Sequence, residues 1–313
     1  MNYGRLALPV LALALAPLLP GIINRTKAVI AGRKGQPLFQ LYFDLAKLLR
    51  KGAVYSHTTS LVFRAGPVVG LISAAAVLLV LPLGGAAAPV TFSADLIFLA
   101  YLLGLMRFFT VIAALDTGSA FEAMGASREV QFSALAEPVL LMALAAIALA
   151  GQSSGSPLHG LPFCLSVIYS RLSLATWMHS GPALLMVAGA LWVVFLAENS
   201  RIPFDDPNTH LELTMIHEVM VLDHGGPDFA MILYGASLKM WTLGALLAGL
   251  IVPVRTGNSF LDAGACVLGL FVLAVLTGVV ESVMARLRLT RVPQLLVSAG
   301  FLSTFALALI IWS

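Results

Sequence analysis

Charge is scarce in this sequence: 11% of its 313 residues are Asp, Glu, Lys or Arg, less than half the roughly 25% of ordinary soluble domains. That shortage excludes a soluble globular body, and with it the basic polar face that nucleic-acid binding requires. Cysteine is scarcer still. Cys164 and Cys266 lie about a hundred residues apart with no CxxC pair, so the chain supplies no thiolate set for an iron-sulfur cluster or a structural zinc, although one disulfide stays open. No His falls inside a long apolar run, which argues against a haem held by two imidazoles across a bilayer.

What is present is apolar. Hydrophobic residues make up 59% of the chain and the mean hydropathy is +0.96. Eight segments reach the roughly 20 apolar residues that one membrane crossing needs, at about 4 to 24, 63 to 83, 93 to 115, 133 to 152, 181 to 198, 232 to 253, 259 to 283 and 292 to 312. Backbone polar groups must be paired internally in lipid, and these runs lack the alternation of barrel strands. The expected fold is therefore all-α: a polytopic membrane protein of about eight transmembrane helices with cytoplasmic amphipathic loop helices, forming a single integral-membrane domain over 1–313. Only Arg5 precedes the first run and a basic cluster follows it, the reverse of a signal peptide, so this helix is expected to be retained.

Lys and Arg set the orientation. The loops after spans one, three, five and seven, with their flanks, hold Arg25, Lys27, Arg33, Lys34, Lys47, Arg50, Lys51, Arg64, Arg128, Arg201, Arg286, Arg288 and Arg291, whereas the other loops hold Arg171 and Arg255. The positive-inside rule makes the odd-numbered loops cytoplasmic and puts both termini outside.

In the first loop, Leu41, Leu45, Leu48 and Leu49 recur at helical spacing opposite Asp44, Lys47, Arg50 and Lys51, which describes an amphipathic helix at the membrane surface. Two readings of this loop are open: a simple interfacial anchor, or one in which Gly32 to Gln36 forms a flexible turn facing a partner protein. Arg107 falls inside the third span, about 12 Å from its cytoplasmic end at about 1.5 Å per residue. An intramembrane cation needs a partner or a wet cavity, so a structural ion pair and a transport role are both open. The loop into the fourth span concentrates Asp116, Glu122, Arg128, Glu129 and Glu137. Glu129 reads as a solvated loop charge. Glu137, just inside an apolar run, reads as buried, where desolvation would suit it to pass protons. The external stretch 151–181, rich in Gly, Ser and Pro, predicts a loop with a short surface helix around 163–170.

Ala197 to Asp228 is a polar insert between two oily spans, and it holds the densest group of ionisable residues. Asp206 followed by Pro207 is a helix-start signature, predicting a helix over 207–223. On it His210, Thr214, His217, Val221 and His224 share a polar arc. Leu211, Met215, Ile216, Val219, Met220 and Leu222 take the opposite side, with Glu212 buried among them. A salt bridge and a proton-carrying role, coupled to Glu198, are both open for Glu212. His217-Glu218 begins an HExxH pattern that Val221 breaks, and His residues spaced by seven lie about 10 Å apart along a helix, too far to share an ion. No metal site is expected. Glu137, Glu198, Glu212, Lys239 and Glu281 all gather toward one membrane side, a bias that scattered salt bridges do not require.

At these residues the sequence resembles the membrane subunit shared by respiratory complex I (the complex I subunit 1 family of the NADH-quinone oxidoreductases) and the energy-converting group 4 NiFe hydrogenases, such as formate hydrogenlyase and hydrogenase-4. AENSRIPFDDPNTHLEL is similar to the family pattern after span five through Glu198, Arg201, Pro203, Phe204, Asp205, Glu212 and Leu213. LDTGSAFEAMGASRE resembles the hydrogenase branch, and GRKGQPLFQLYFDLAKLL its first cytoplasmic loop. The resemblance covers all eight spans. It implies a subunit of the prokaryotic cytoplasmic membrane without its own redox centre. Such a subunit docks peripheral hydrogenase-like large and small subunits with their iron-sulfur proteins, and passes protons toward antiporter-like membrane subunits in the lipid bilayer. The implied proton path comprises Glu122, Glu137, Glu198, Glu212, Glu281, Lys239 and Arg107; the cavity or docking loop comprises Arg201, Asp205, Asp206, His210, His217 and Arg128. No cofactor is implied within the chain, and a quinone only at a cavity that this sequence alters. His210 and Asn208 replace family carboxylates two and four residues before Glu212, and Lys34-Gly35-Gln36 stands where Arg-Gly-Pro is usual.

A stand-alone proton or cation transporter is the alternative, but transporters place ionisable groups and broken helices at mid-membrane in repeated halves. An intramembrane hydrolase lacks a recognisable nucleophile and base. On the leading reading, Glu212→Gln leaves assembly intact and impairs proton translocation in the reconstituted complex; translocation at the unsubstituted level would count against it.

Overall fold

The computed structural model describes residues 3–151, 163–205 and 215–312. All eight expected spans are present as helices long and apolar enough to cross a membrane, and among the described residues the only strand-like pairing is an isolated bridge between Leu83 and Ala86.

The first span is two helices, α1 (Tyr3–Leu15) and α2 (Leu18–Ile30). Pro17 and Pro20 lack the N–H groups that would continue the hydrogen-bond ladder across the joint. Two carbonyls stranded by this break find tyrosines: Tyr234 donates its hydroxyl to Leu13 O at 2.9 Å and Tyr42 donates to Ala14 O. Such replacement donors are what allow proline inside a membrane helix. Tyr42 belongs to α3 (Gln40–Leu48), the amphipathic loop helix expected from the leucine spacing.

The remaining spans are α4 (Leu61–Val80), α5 (Asp95–Asp116), α6 (Ala120–Ala150), α8 (Leu174–Glu198), α9 (Gly226–Ile251), α10 (Ser259–Val283) and α11 (Val292–Trp312), with short α7 (Leu165–Arg171) before α8. The core stretch of α9 is 72% buried against 22% for α11, so α9 is the central post and α11 a peripheral one. Helices α4 and α5 approach closely because Gly66 has no side chain; a Cβ there would stand 2.8 Å from Ala113 Cβ and 3.2 Å from Phe109 O. The basic loops share one end of the bundle. Lys27 at the close of α2 meets Glu281 at the close of α10 at 2.8 Å, and Asp116 at the close of α5 accepts from Ser60 N at the start of α4 at 2.6 Å.

Several expectations need correction. Helix α6 begins at Ala120 rather than 133, so the charged stretch expected as a loop is for the most part helix, more than three turns of it. Its 31 residues span about 46 Å, longer than the roughly 30 Å hydrocarbon core. Helix α9 starts at Gly226, earlier than expected, which places Lys239 more than three turns in rather than two. Helix α7 is not a surface helix: Leu165, Ile168 and Tyr169 are fully buried. The helix expected over 207–223 is absent from the part of it that is described. Residues 215–217 are irregular and Glu218–Val221 form one 3-10 turn. The Asp205 carboxylate accepts from the N–H groups of Ile216 and His217 at 3.1 and 3.3 Å, and this side-chain competition for backbone donors ends regular structure there. Among the described residues of the arc Val221 and His224 are buried, whereas Leu222 from the opposite side is exposed. Asp206, His210 and Glu212 lie outside the described residues.

At the end opposite the basic loops, polar side chains tie the described connections to the spans. Asp95, fully buried in the first turn of α5, accepts from Leu165 N at 2.6 Å and from Cys164 Sγ at 3.2 Å, which pins the start of α7. Ser166 Oγ accepts from Ala88 N, and Arg255 donates to Tyr169 O. Burial pushes the Tyr169 hydroxyl and the Cys164 thiol upward, which keeps both neutral. Asp95→Ala strands a buried N–H and is expected to cost about 1–3 kcal/mol, measurable as a lowered Tm of the detergent-solubilised protein; an unchanged Tm would show that α7 is held by packing alone.

Candidate functional site

Three spans meet at one guanidinium, and a fourth reaches its Glu198 partner. Arg107, halfway along α5, donates through Nη2 to both carboxylate oxygens of Glu198 on α8 at 2.7 and 2.6 Å. Its Nη1 meets Glu137 Oε1 on α6, and its Nε lies 3.5 Å from Glu129 Oε1, two turns earlier on the same helix. Lys239 on α9 approaches Glu198 Oε2 at 3.7 Å. Two cations face three carboxylates, so the fully ionised cluster carries one unbalanced negative charge, leaving room for one proton. Arg107, Glu198 and Lys239 are each about nine-tenths buried. Two of the acids depart from expectation. Glu137 is 49% exposed on the outer flank of the bundle rather than buried, because its turn of α6 faces away from the core. Glu129, expected to be a solvated loop charge, is 14% exposed because its segment is helix packed under the insert.

The other expected residues have different partners. Glu281, with no exposed side-chain surface, is held by Lys27 and by Arg201 Nη1 at 3.5 Å. Asp205 pairs with Arg286 Nη2 at 2.8 Å, and Arg128 donates to Met215 O at 2.8 Å. Buried Glu122 accepts from Asp223 N at 3.2 Å, tying the start of α6 to the insert rather than joining the Arg107 cluster. The signal for Glu129 was present in the sequence: Glu122, Glu129 and Ser133 share one helical stripe once α6 is extended to Ala120. Lys27 and Arg286 were counted only as topology markers.

Glu198 borders three cavities. One of about 430 Å³ lies beneath the basic end, where Glu198, Arg201, Asp205, His217, His224 and Lys239 share its lining with Pro20, Leu41 and Phe229. A cleft of about 560 Å³ opens on the flank between α5 and α6, past Tyr101, Arg107 and Glu137. The third, of about 20 Å³, sits among Glu129, Glu198 and Asp205. His217 and His224 each hold a buried Nδ1 without a hydrogen-bond partner. Burial pushes His217 down to about 4, the positive charge of Lys239 adds to this, and Glu198 opposes it. Burial also lowers His224, which stacks on Phe63 at 3.9 Å while Asp228 and Asp223 pull the other way. Among the described residues no three His, Cys, Asp or Glu side chains gather closely enough to hold a metal.

The histidines predict a pH dependence. The folded state holds His217 neutral down to about 4 against an ordinary value of 6.5, so between these limits the unfolded chain binds more protons. The stability that His217 contributes is complete above about pH 6.5 and is lost as the pH falls toward 4. Tm in detergent is expected to drop between pH 7 and pH 5, and His217→Gln to flatten part of that slope; an identical slope in the variant would refute this assignment.

Comparison with known proteins places this geometry. The chain is 33% identical over 296 residues to formate hydrogenlyase subunit 4 of Escherichia coli (strain K12), covering 92% of this chain and 91% of that protein. It is 30% identical over 315 residues to hydrogenase-4 component C of the same organism, covering 98% and 94%. Among solved structures, a chain of the membrane-bound sulfane sulfur reductase, an archaeal respiratory membrane complex, superposes with a TM-score of 0.80 at 18% identity over 98% of both chains, a likeness of fold. The family profile described as NADH dehydrogenase matches residues 5–313, and the chain belongs to that family.

Proposed function

We propose that the protein is the membrane-anchor subunit of a complex I-like hydrogenase or dehydrogenase, which docks a peripheral electron-transfer arm at its basic end and relays protons through Glu198. The observation that carries this reading is that one buried carboxylate, held by Arg107 and Lys239, borders both the 430 Å³ cavity at the basic end and the 560 Å³ cleft on the flank. A proton taken up at the first reaches the second by crossing a single side chain. In the proposal the basic end faces the cytoplasm of a prokaryotic cell, both termini lie outside, and the exposed loop 31–37 with the insert receives NiFe-hydrogenase-like and iron-sulfur subunits.

The half-exposed Glu137 supports a membrane neighbour. An ionisable group at that depth is costly against lipid, and an antiporter-like subunit would cover the cleft. The matched relatives are named as a subunit and a component of larger enzymes, which favours part of an assembly over a stand-alone transporter. The chain itself is proposed to hold no cofactor. The charged side chains in the lining of the 430 Å³ cavity, Glu198, Arg201, Asp205, Glu218 and Lys239, favour water over a quinone there.

Glu198→Gln tests the relay. In the reconstituted complex, electron transfer is expected to stay within about twofold while coupled proton movement falls at least about tenfold, a loss of roughly 1.4 kcal/mol or more in effective coupling. Unchanged proton movement would overturn the reading.

A further inference from the structure

Glu129 is not explained by a route through Glu198 alone. It lines neither of the two large cavities, yet its side chain is 14% exposed and faces the Nε of Arg107, an atom buried without a hydrogen-bond partner. Between Glu129, Glu198 and Asp205 lies the space of about 20 Å³, with Ser133 and Ser200 in its lining beside Phe132, Ala136, Phe204 and Ile216. A buried space of roughly 10–15 Å³ or more with several polar neighbours holds one water molecule.

We propose that this space binds a single water and that Glu129 is a second proton station, exchanging one proton with Glu198 through it. The inference rests on the proton-relay reading above and adds a residue and a bound water to it. Asp205 is the fixed member of the site. Its carboxylate is held by Arg286 and by two backbone N–H groups, so it stays ionised and accepts one hydrogen of the water, orienting the other toward the glutamates. In the transfer the carboxylic acid of Glu198 gives its proton to the water oxygen as the water gives a different proton to the Glu129 carboxylate. One O–H bond breaks at Glu198, one forms at Glu129, and the water is regenerated.

Arg107 makes the exchange reversible. It contacts Glu198 through Nη2 and Glu129 through Nε, so whichever acid is ionised retains a cation and the neutral one is released without stranding a charge. Ile216 belongs to the insert, and its backbone is fixed by Asp205. The water site is therefore assembled from α6, α8 and the insert together, and a displacement of the insert would take it apart.

Two variants in the reconstituted complex test the proposal without relying on either alone. Glu129→Gln removes the station at nearly constant volume; Ser133→Val fills the space and leaves every charge in place. Both are expected to lower coupled proton movement at least about tenfold with electron transfer within about twofold. Glu129→Asp is expected to restore part of it with a shifted pH profile, which a purely structural partner of Arg107 would not show. An infrared difference spectrum is expected to lose a protonated-carboxyl band in Glu129→Gln. Normal proton movement in either Glu129→Gln or Ser133→Val overturns the inference. Glu198→Gln run beside them separates the levels: if it too is normal the relay reading fails, and if it alone is impaired only the station at Glu129 fails.

Discussion

The bidentate contact between Arg107 and Glu198 is the constraint on which the interior depends. Neither charge could be withdrawn from water alone; the penalty for an isolated buried ion is several kcal/mol even after relaxation, and losing one member of a buried pair costs about 3–5 kcal/mol. Arg107 satisfies the requirement by turning each face of its fork to a different helix, with α8 at Nη2 and α6 at both Nη1 and Nε. Three spans are thus registered against each other by one side chain. Lys239 brings in α9, the most enclosed helix of the bundle, from the far side of Glu198. The register that these charges set is what leaves cavities on either side of Glu198, because side chains gathered around an ion cannot also fill the space above and below it.

Around this centre the ion pairs fall into layers. Lys27, Arg201 and Glu281 tie the ends of α2, α8 and α10, while Asp205, Arg286 and Arg128 hold the insert down. Residues 215–217 of the insert are kept irregular rather than helical by Asp205, and that irregularity brings His217 and His224 inward as neutral imidazoles. A polar segment between two membrane spans thereby becomes the roof of a cavity instead of a solvent-facing loop. Glycine at 226, with φ +56, lets the chain turn from this roof into α9 while passing against the carbonyl of Gly52.

Much of this was legible in the sequence, and what was missed has a common cause. Eight apolar runs gave eight spans, and leucine spacing gave α3, because burial in lipid leaves a composition signal that neighbours do not alter. Arg107, Glu137, Glu198 and Lys239 stood out as charges in oil, and the structure brings these four together. The helix limits were lost where charge interrupts the apolar run: the first turns of α6 read as a loop because Glu122, Arg128 and Glu129 are polar, although each has a partner within the bundle. Periodicity also could not reveal that Asp205 would capture the N–H groups of Ile216 and His217 and so keep residues 215–217 out of the helix expected there. Long-range capture of backbone donors, like the choice of which acid Arg107 would hold, is decided by tertiary contacts with no local trace.

The apolar stretch of α5 and α8 away from the basic end has an electrical consequence. From Asp95 to Arg107 helix α5 runs about 18 Å at about 1.5 Å per residue with Tyr101 as its one polar side chain, and α8 from Pro182 to Ala197 offers only the indole of Trp192. Such a layer is a dielectric slab, whereas the cavity below it is lined by charged side chains. Most of a transmembrane voltage therefore drops across the slab, at about 2.3 kcal/mol per elementary charge per 100 mV for the whole thickness. In the proposed relay a proton resting on Glu198 has crossed little of that field, so the energetic cost of moving it against the voltage falls on whatever lies beyond the flank cleft.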